Sequence, residues 1–264
     1  MIAGTPQRTE GIVLRVLDYG ESDRIVTLCT AGFGKIRGIA KGARRSRRRF
    51  ANALEPFSLL QVLFTRRRPE SLARIDSCDV VSHFSGIRSD LEKTMIASCL
   101  IDLADQFAPE DKANESLFRL LGDFLRLLEE GPVPAGILRF FEIRLLGLSG
   151  YDPVLDRCLV CNKAVCRGAG YRFSAAGGGL ICSACRPDSP DTIPVSLGTI
   201  LTLRMGREME IDRIGRLLFS EQCAEESRLL LAHFIRHLLG REPRSVHVLN
   251  EIRCLGMRNG PDSR

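Results

Sequence analysis

The chain has 264 residues, 44% hydrophobic and 27% charged, with a formal net charge of +6 and no Trp. This balance excludes a disordered chain and leaves room for several domains with cores built on Leu, Ile and Val. No stretch reaches the roughly 18 consecutive apolar residues of a membrane-spanning helix. Met1-Ile2-Ala3-Gly4-Thr5-Pro6 carries no charged and apolar leader, so a cytoplasmic address is expected, with no membrane partner.

The charge is unevenly spread. Residues 1–80 hold 15 Lys/Arg against 8 Asp/Glu, residues 81–150 hold 7 against 11, and residues 151–264 hold 16 against 13. The positive excess therefore sits in the first third, where a localised polyanion-binding surface would want it.

In that first third, apolar residues alternate in short runs separated by turn signals. Ile12, Leu14 and Val16 alternate around Val13 and Arg15, and Asp18-Tyr19-Gly20-Glu21-Ser22 is a turn. Ile25–Leu28, Lys35–Ala40, Leu59–Phe64 and Leu72–Ile75 follow as further strands. Five short strands in about 80 residues suit a small closed barrel, an OB fold or an SH3-like one. After Gly86 the period becomes helical. Leu91, Met95, Cys99, Leu103 and Phe107 mark one helix, Glu115 to Glu130 a second that Gly131-Pro132 stops, and Ala135 to Leu148 a third, apolar almost all round. Helical spacing resumes near Leu197 and in Glu221–Leu239, and Arg258 to Arg264 form a polar tail expected to be disordered.

Between the helical stretches lies a glycine-rich insert. Cys158-Leu159-Val160-Cys161 and Cys182-Ser183-Ala184-Cys185 are two C-x2-C pairs. Each turn points two thiolates at one ion, and four thiolates close a tetrahedral structural Zn2+ site. Tyr171-Arg172-Phe173 and Leu180-Ile181 flank Gly177-Gly178-Gly179 as a zinc-ribbon hairpin would. Cys166 lies inside the insert and is the one alternative ligand; the other five cysteines read as small core residues. The expected organisation is multidomain α+β: a barrel over 1–80, a helical domain over 81–154 and 191–257, a C4 zinc-ribbon-like module over 155–190, and a tail over 258–264.

Two clusters supply the candidate nucleic-acid contacts. Lys41-Gly42-Ala43-Arg44-Arg45-Ser46-Arg47-Arg48-Arg49-Phe50 packs six positive charges into ten residues, and Arg66-Arg67-Arg68 follows the fourth strand. With Arg37 on the third strand, they can converge on one groove and track a phosphate backbone. Tyr19, Phe33, Phe50 and Phe57 are candidate stacking faces, with core packing the commoner use of such residues. Catalytic constellations are not legible. His233 and His237 stand four apart without the Glu of a zinc protease motif, and no His-x-Glu accompanies the cysteines. The alternatives to a DNA-binding protein are a zinc-ribbon adaptor for RNA or a protein complex, and a metal hydrolase.

Taken together, Gly11-Ile12-Val13-Leu14, Tyr19-Gly20-Glu21-Ser22-Asp23, Gly34-Lys35, Ala40-Lys41-Gly42-Ala43-Arg44-Arg45, Leu54-Glu55-Pro56-Phe57, the C-x2-C pairs and Tyr171-Arg172-Phe173…Gly178-Gly179-Leu180 resemble the bacterial RecO family. The resemblance implies an amino-terminal OB fold, a helical domain and a zinc-bearing module. It also implies a non-enzymatic, nucleoid-associated mediator of recombinational repair. Such a protein would bind single- and double-stranded DNA, anneal complementary strands, work with RecR and single-stranded DNA-binding protein, and help load RecA.

Overall fold

The computed structural model describes residues 5–46, 48–66, 71–110, 112–185, 191–249 and 251. Arg47, Arg67, Arg68 and the tail from 258 therefore lie outside the described residues, as do residues 186–190 of the insert. The chain folds as two compact units, Met1–Gly131 and Pro132–Arg264.

The first unit begins with five strands, β1 (Pro6–Tyr19), β2 (Asp23–Thr30), β3 (Gly34–Ala40), β4 (Leu59–Thr65) and β5 (Ala73–Ser82). They close as a barrel in the order β1-β2-β3-β5-β4. The one parallel pairing joins β3 to β5, and β1 pairs with both β2 and β4. This is the OB-like order, which strand periodicity alone did not separate from an SH3-like barrel. A bulge between Val13 and Arg15 lets the fourteen-residue β1 bend from one neighbour to the other. It also changes which residues face inward. Val13 and Val16 pack with Val26, Leu28, Ile36, Leu60, Val62, Phe64 and Ile75 in the barrel core, whereas Ile12 lies outside that cluster.

Ile12 is nonetheless fully buried, because helices cover that part of the barrel. The helices are α1 (Ser85–Ser89), α2 (Leu91–Phe107) and α3 (Glu115–Glu130); α2 and α3 contact β1, and α3 also contacts β2. Asp90 and Asn114 cap α2 and α3 by accepting the backbone N–H of Lys93 and Leu117. Lys35 on β3 donates to the Asp105 carbonyl at 2.8 Å, and Arg15 meets the Asp105 carboxylate at 3.1 Å. Gly34, at φ +66°, admits the Lys112 carbonyl where a Cβ would stand 2.1 Å from its oxygen. The expected partition thus needs correction: α1–α3 belong to the barrel's unit rather than to one body spanning 81–154 and 191–257. The barrel carries apolar residues on both faces near Ile12, and the outer ones require a cover.

The second unit contains α4 (Ile137–Leu148), β6 (Val154–Cys158), β7 (Tyr171–Ser174), β8 (Gly179–Cys182), β9 (Thr192–Val195), α5 (Leu197–Glu208) and α6 (Glu221–Leu239). Nine of the twelve α4 residues are buried, including the Arg139–Glu142 pair at 2.8 Å. Burial outweighs that arginine and pushes the Glu142 carboxyl up to about 7. The strands form a sheet in the order β6-β8-β7-β9, two strands wider than the hairpin legible in sequence. Phe173 on β7 meets Phe234 on α6 edge-on at 5.4 Å, tying the sheet to the helices.

Candidate nucleic-acid interface and metal centre

Residues paired across neighbouring strands point to the same face. Val16, Val26 and Gly38 form one such row, and it faces the barrel core. The adjacent rows, Leu17–Ile25–Ile39–Arg74 and Arg15–Thr27–Arg37, therefore lie on the outside. Toward α2 this outer surface is covered. Toward the β1–β2 turn it opens, leaving Leu17 at 51% and Tyr19 at 55% exposure, with Arg37 exposed and Ile25 and Ile39 half-buried. The opposite outer surface, on β1, β4 and β5, is different in character. There Glu10 bonds Gln61 and Arg8 meets Asp79, so acidic and basic groups alternate. The open strip combines apolar area with arginines, and it belongs to the strands and turn that OB-type barrels use for oligonucleotides.

The basic loop leaves β3 beside this strip. Lys41, Arg44, Arg45, Arg48 and Arg49 are exposed. The loop is pinned to the β1–β2 turn, because Gly42 N–H donates to the Asp23 carboxylate at 2.8 Å and Arg44 N–H to the Ser22 carbonyl at 3.0 Å. The Gly42 bond, helped by Ser22 and Lys41, holds Asp23 below its ordinary pKa despite some desolvation. Its far end is pinned to β5 by the bond from Cys78 N–H to the Arg49 carbonyl at 2.9 Å. Arg49 donates to the Lys41 carbonyl and lies 5.0 Å from the Phe50 ring centroid, so it also braces the loop. Arg66 is half-buried at the end of β4. Of the four candidate stacking residues, only Tyr19 is exposed. Phe50 and Phe57 are buried, and Phe33 packs edge-on to Phe64 at 5.2 Å.

Carboxylates at this surface escaped the sequence reading. Arg44 lies 3.8 Å from Asp18 and Arg45 3.8 Å from Glu21. Arg24 is held by Asp18 at 3.3 Å and by Glu55 at 3.1 Å. The signal available was only that the turn Asp18 to Asp23 is acidic beside a basic loop. Pairing between them depends on the β2–β3 register that sets Arg24 opposite Ala40.

In the second unit, the four sulfurs of Cys158, Cys161, Cys182 and Cys185 lie within 4.8 Å of one another. Cys158 ends β6 and Cys182 ends β8; the parallel β6–β8 pairing sets Cys158 opposite Leu180 and joins the two C-x2-C turns. The Cys161 and Cys182 sulfurs are 3.8 Å apart. That matches the edge of about 3.8 Å in a tetrahedron with Zn–S bonds of about 2.3 Å. Backbone N–H groups of Val160 and Cys182 point at the Cys158 sulfur at 3.4 and 3.3 Å. Burial opposes ionisation of Cys158, but the N–H groups of Cys161, Cys182 and Val160 outweigh it and bring its pKa down to about 6. The sulfur of Cys161, then burial, then Cys182 push Cys185 up to about 12. Thiolates so crowded repel one another, and a divalent cation among them would relieve it. The donor set therefore fits a metal of zinc's softness, held structurally by four thiolates. Cys166 stands apart: it is exposed, and its N–H donates to the Tyr171 hydroxyl at 2.9 Å.

The family model described as Recombination protein O N terminal matches residues 5–84, and that described as Recombination protein O C terminal matches residues 88–247. A DNA repair protein RecO of Syntrophus aciditrophicus is 49% identical over 252 residues, covering 95% of this chain and 97% of that relative. The chain belongs to the RecO family. Further RecO relatives from Geobacter metallireducens and Anaeromyxobacter sp. (strain K) are 39% and 38% identical, covering 93% and 92% of this chain. The amino-terminal RecO match coincides with the barrel, and the carboxy-terminal match runs through α2–α6 and contains all four clustered cysteines. The family is one of recombinational DNA repair. Among the described residues, no helix is long and apolar enough to cross a membrane.

Proposed function

We propose that this chain is a cytoplasmic recombination mediator that binds single- and double-stranded DNA through its barrel and anneals complementary strands. In this role it works with RecR and single-stranded DNA-binding protein, and assists RecA loading onto coated DNA. The observation that carries the proposal is the open outer strip of the barrel, with Leu17, Tyr19, Ile25 and Ile39 bordered by Arg37, Arg74 and the arginine loop. Arginines neutralise phosphates without reading sequence, while the apolar strip and Tyr19 offer area to unstacked bases. Annealing then needs no bond-making by the protein. Two polyanions approach once their charge is offset, and base pairing supplies the direction.

Arg37, Lys41, Arg44, Arg45, Arg48, Arg49 and Arg66 are the proposed contacts within the described residues, with Arg47, Arg67 and Arg68 of the same two loops beyond them. Cys158, Cys161, Cys182 and Cys185 would hold a zinc ion that ties β6 to β8, and its chemistry there is to hold four thiolates together. The test is single-strand binding across a salt series with Arg37, Arg44, Arg45 and Arg48 replaced by Ala. Affinity should fall, and the slope of log K against log salt should flatten by about 0.7 for each phosphate that is no longer neutralised. An unchanged slope and affinity would remove this surface from the mechanism.

A further inference from the structure

The arginines nearest the β1–β2 turn are not presented bare. Asp18 stands between Arg24 at 3.3 Å and Arg44 at 3.8 Å, and Glu21 faces Arg45 at 3.8 Å. Both carboxylates are exposed, Glu21 at 92% of its side chain, so neither is needed to satisfy a buried charge. Nor do they shape the loop. That task falls to the bonds from Gly42 N–H to Asp23 and from Arg44 N–H to the Ser22 carbonyl. Arg24 keeps Glu55 and the Leu54 carbonyl, both within 3.1 Å, if Asp18 withdraws.

We infer that Asp18 and Glu21 occupy the positions of two strand phosphates and thereby weaken the site's binding to single strands and flatten its response to salt. This rests on the barrel being the DNA surface. Exposed ion pairs of this kind are weak, so a ligand can displace them, but only at a cost. A strand that also reaches Arg37, Lys41 and Arg48 gains a wider contact, and that contact offsets the displacement. The displaced carboxylates then remain close to the phosphates and cancel part of the charge that the arginines bring.

The test pairs Asp18→Asn and Glu21→Gln in the full chain and measures binding of a short and a long oligothymidylate across a salt series. Arg44→Ala with Arg45→Ala serves as the reference variant. The carboxamide variant should bind both strands more tightly, and by a similar factor. Its salt dependence should steepen by about 0.7 for each arginine set free to a phosphate. Equal affinities and slopes in the carboxamide variant, alongside weakened binding in the arginine variant, would overturn the inference and leave the DNA surface standing. Weaker binding by the carboxamide variant would also overturn it, since the carboxylates would then be organising the loop. No loss in the arginine variant would overturn both.

Discussion

Tyr19 places an aromatic ring in solvent at the end of β1, next to Leu17 and two strands away from Ile39. On the proposed DNA surface, an exposed ring at the edge of an apolar strip would contribute by stacking and the neighbouring arginines through charge. The two kinds of contact separate experimentally. Tyr19→Ala should weaken single-strand binding by about 1–3 kcal/mol while leaving its salt slope nearly unchanged. A change in slope without a loss at fixed salt would reverse that assignment. Gly34 is the corresponding residue for the scaffold. Its positive φ and the Lys112 carbonyl beside it leave no room for a side chain. Gly34→Ala should lower the stability of the chain by about 2 kcal/mol or more, read from urea unfolding. Neither residue stood out in the sequence by pattern: Tyr19 was one of four aromatic candidates, and Gly34 one of 24 glycines. The barrel's closure distinguishes Tyr19 from Phe33, Phe50 and Phe57, because it decides which side of each strand meets the core.

At the scale of elements, the four strands around the cysteines are four or five residues long, and such short strands bury little on their own. The metal site would therefore carry a large part of the module's stability. Cys182→Ser should reduce zinc bound per chain, measured on the purified protein, and lower its thermal midpoint; full zinc content at an unchanged midpoint would count against a four-thiolate site. The join between α5 and α6 also carries polar contacts. Glu226 of α6 accepts hydrogen bonds from Ser196 N–H at 2.8 Å, the Ser196 hydroxyl at 2.7 Å and the Thr199 hydroxyl at 2.6 Å, at the start of α5. Burial raises the Glu226 pKa, but these donors, with Gln222, more than offset it, so the folded value lies below the usual carboxylate range. A depressed folded pKa means stability that is present above the unfolded pKa of about 4.3 and lost as pH falls through the folded value. Glu226→Gln should cost about 1 kcal/mol at neutral pH, with the gap to the parent chain closing on acidification. Urea unfolding at several pH values reads this directly, and a gap that widens in acid would contradict it.

For the molecule as a whole, the separation of charge along the chain matters more than its sum. Among the described residues, Lys41, Arg44, Arg45, Arg48 and Arg49 stand exposed on one barrel loop and Arg37 and Arg74 on the open strip, while acidic Asp105 of α2 is paired with Lys35 and Arg15. Such an arrangement should accelerate annealing of complementary DNA strands without any nucleotide cofactor, and the acceleration should fade as salt rises. Removing Arg37, Arg44, Arg45 and Arg48 together should abolish most of it in a strand-annealing assay. Stronger binding to RNA than to DNA of the same sequence would instead favour the adaptor alternative.

By itself, the sequence determined the kinds of element, the span of α3, the four clustering cysteines and the stretch carrying the arginines. Each of these is written locally, in a period of two or 3.6, a Gly-Pro stop, a C-x2-C spacing or a run of charge. Only the tertiary structure decided that α1–α3 belong with the barrel, that β6 and β9 complete the zinc-module sheet, and that Asp18 and Glu21 stand against Arg44 and Arg45. Those facts depend on a bulge that switches the faces of β1, on parallel pairing of β3 with β5 and β6 with β8, and on strand register. Pairings of that sort join residues whose separation along the chain carries no repeating signal, so burial and charge pairing emerge only once the strands have closed.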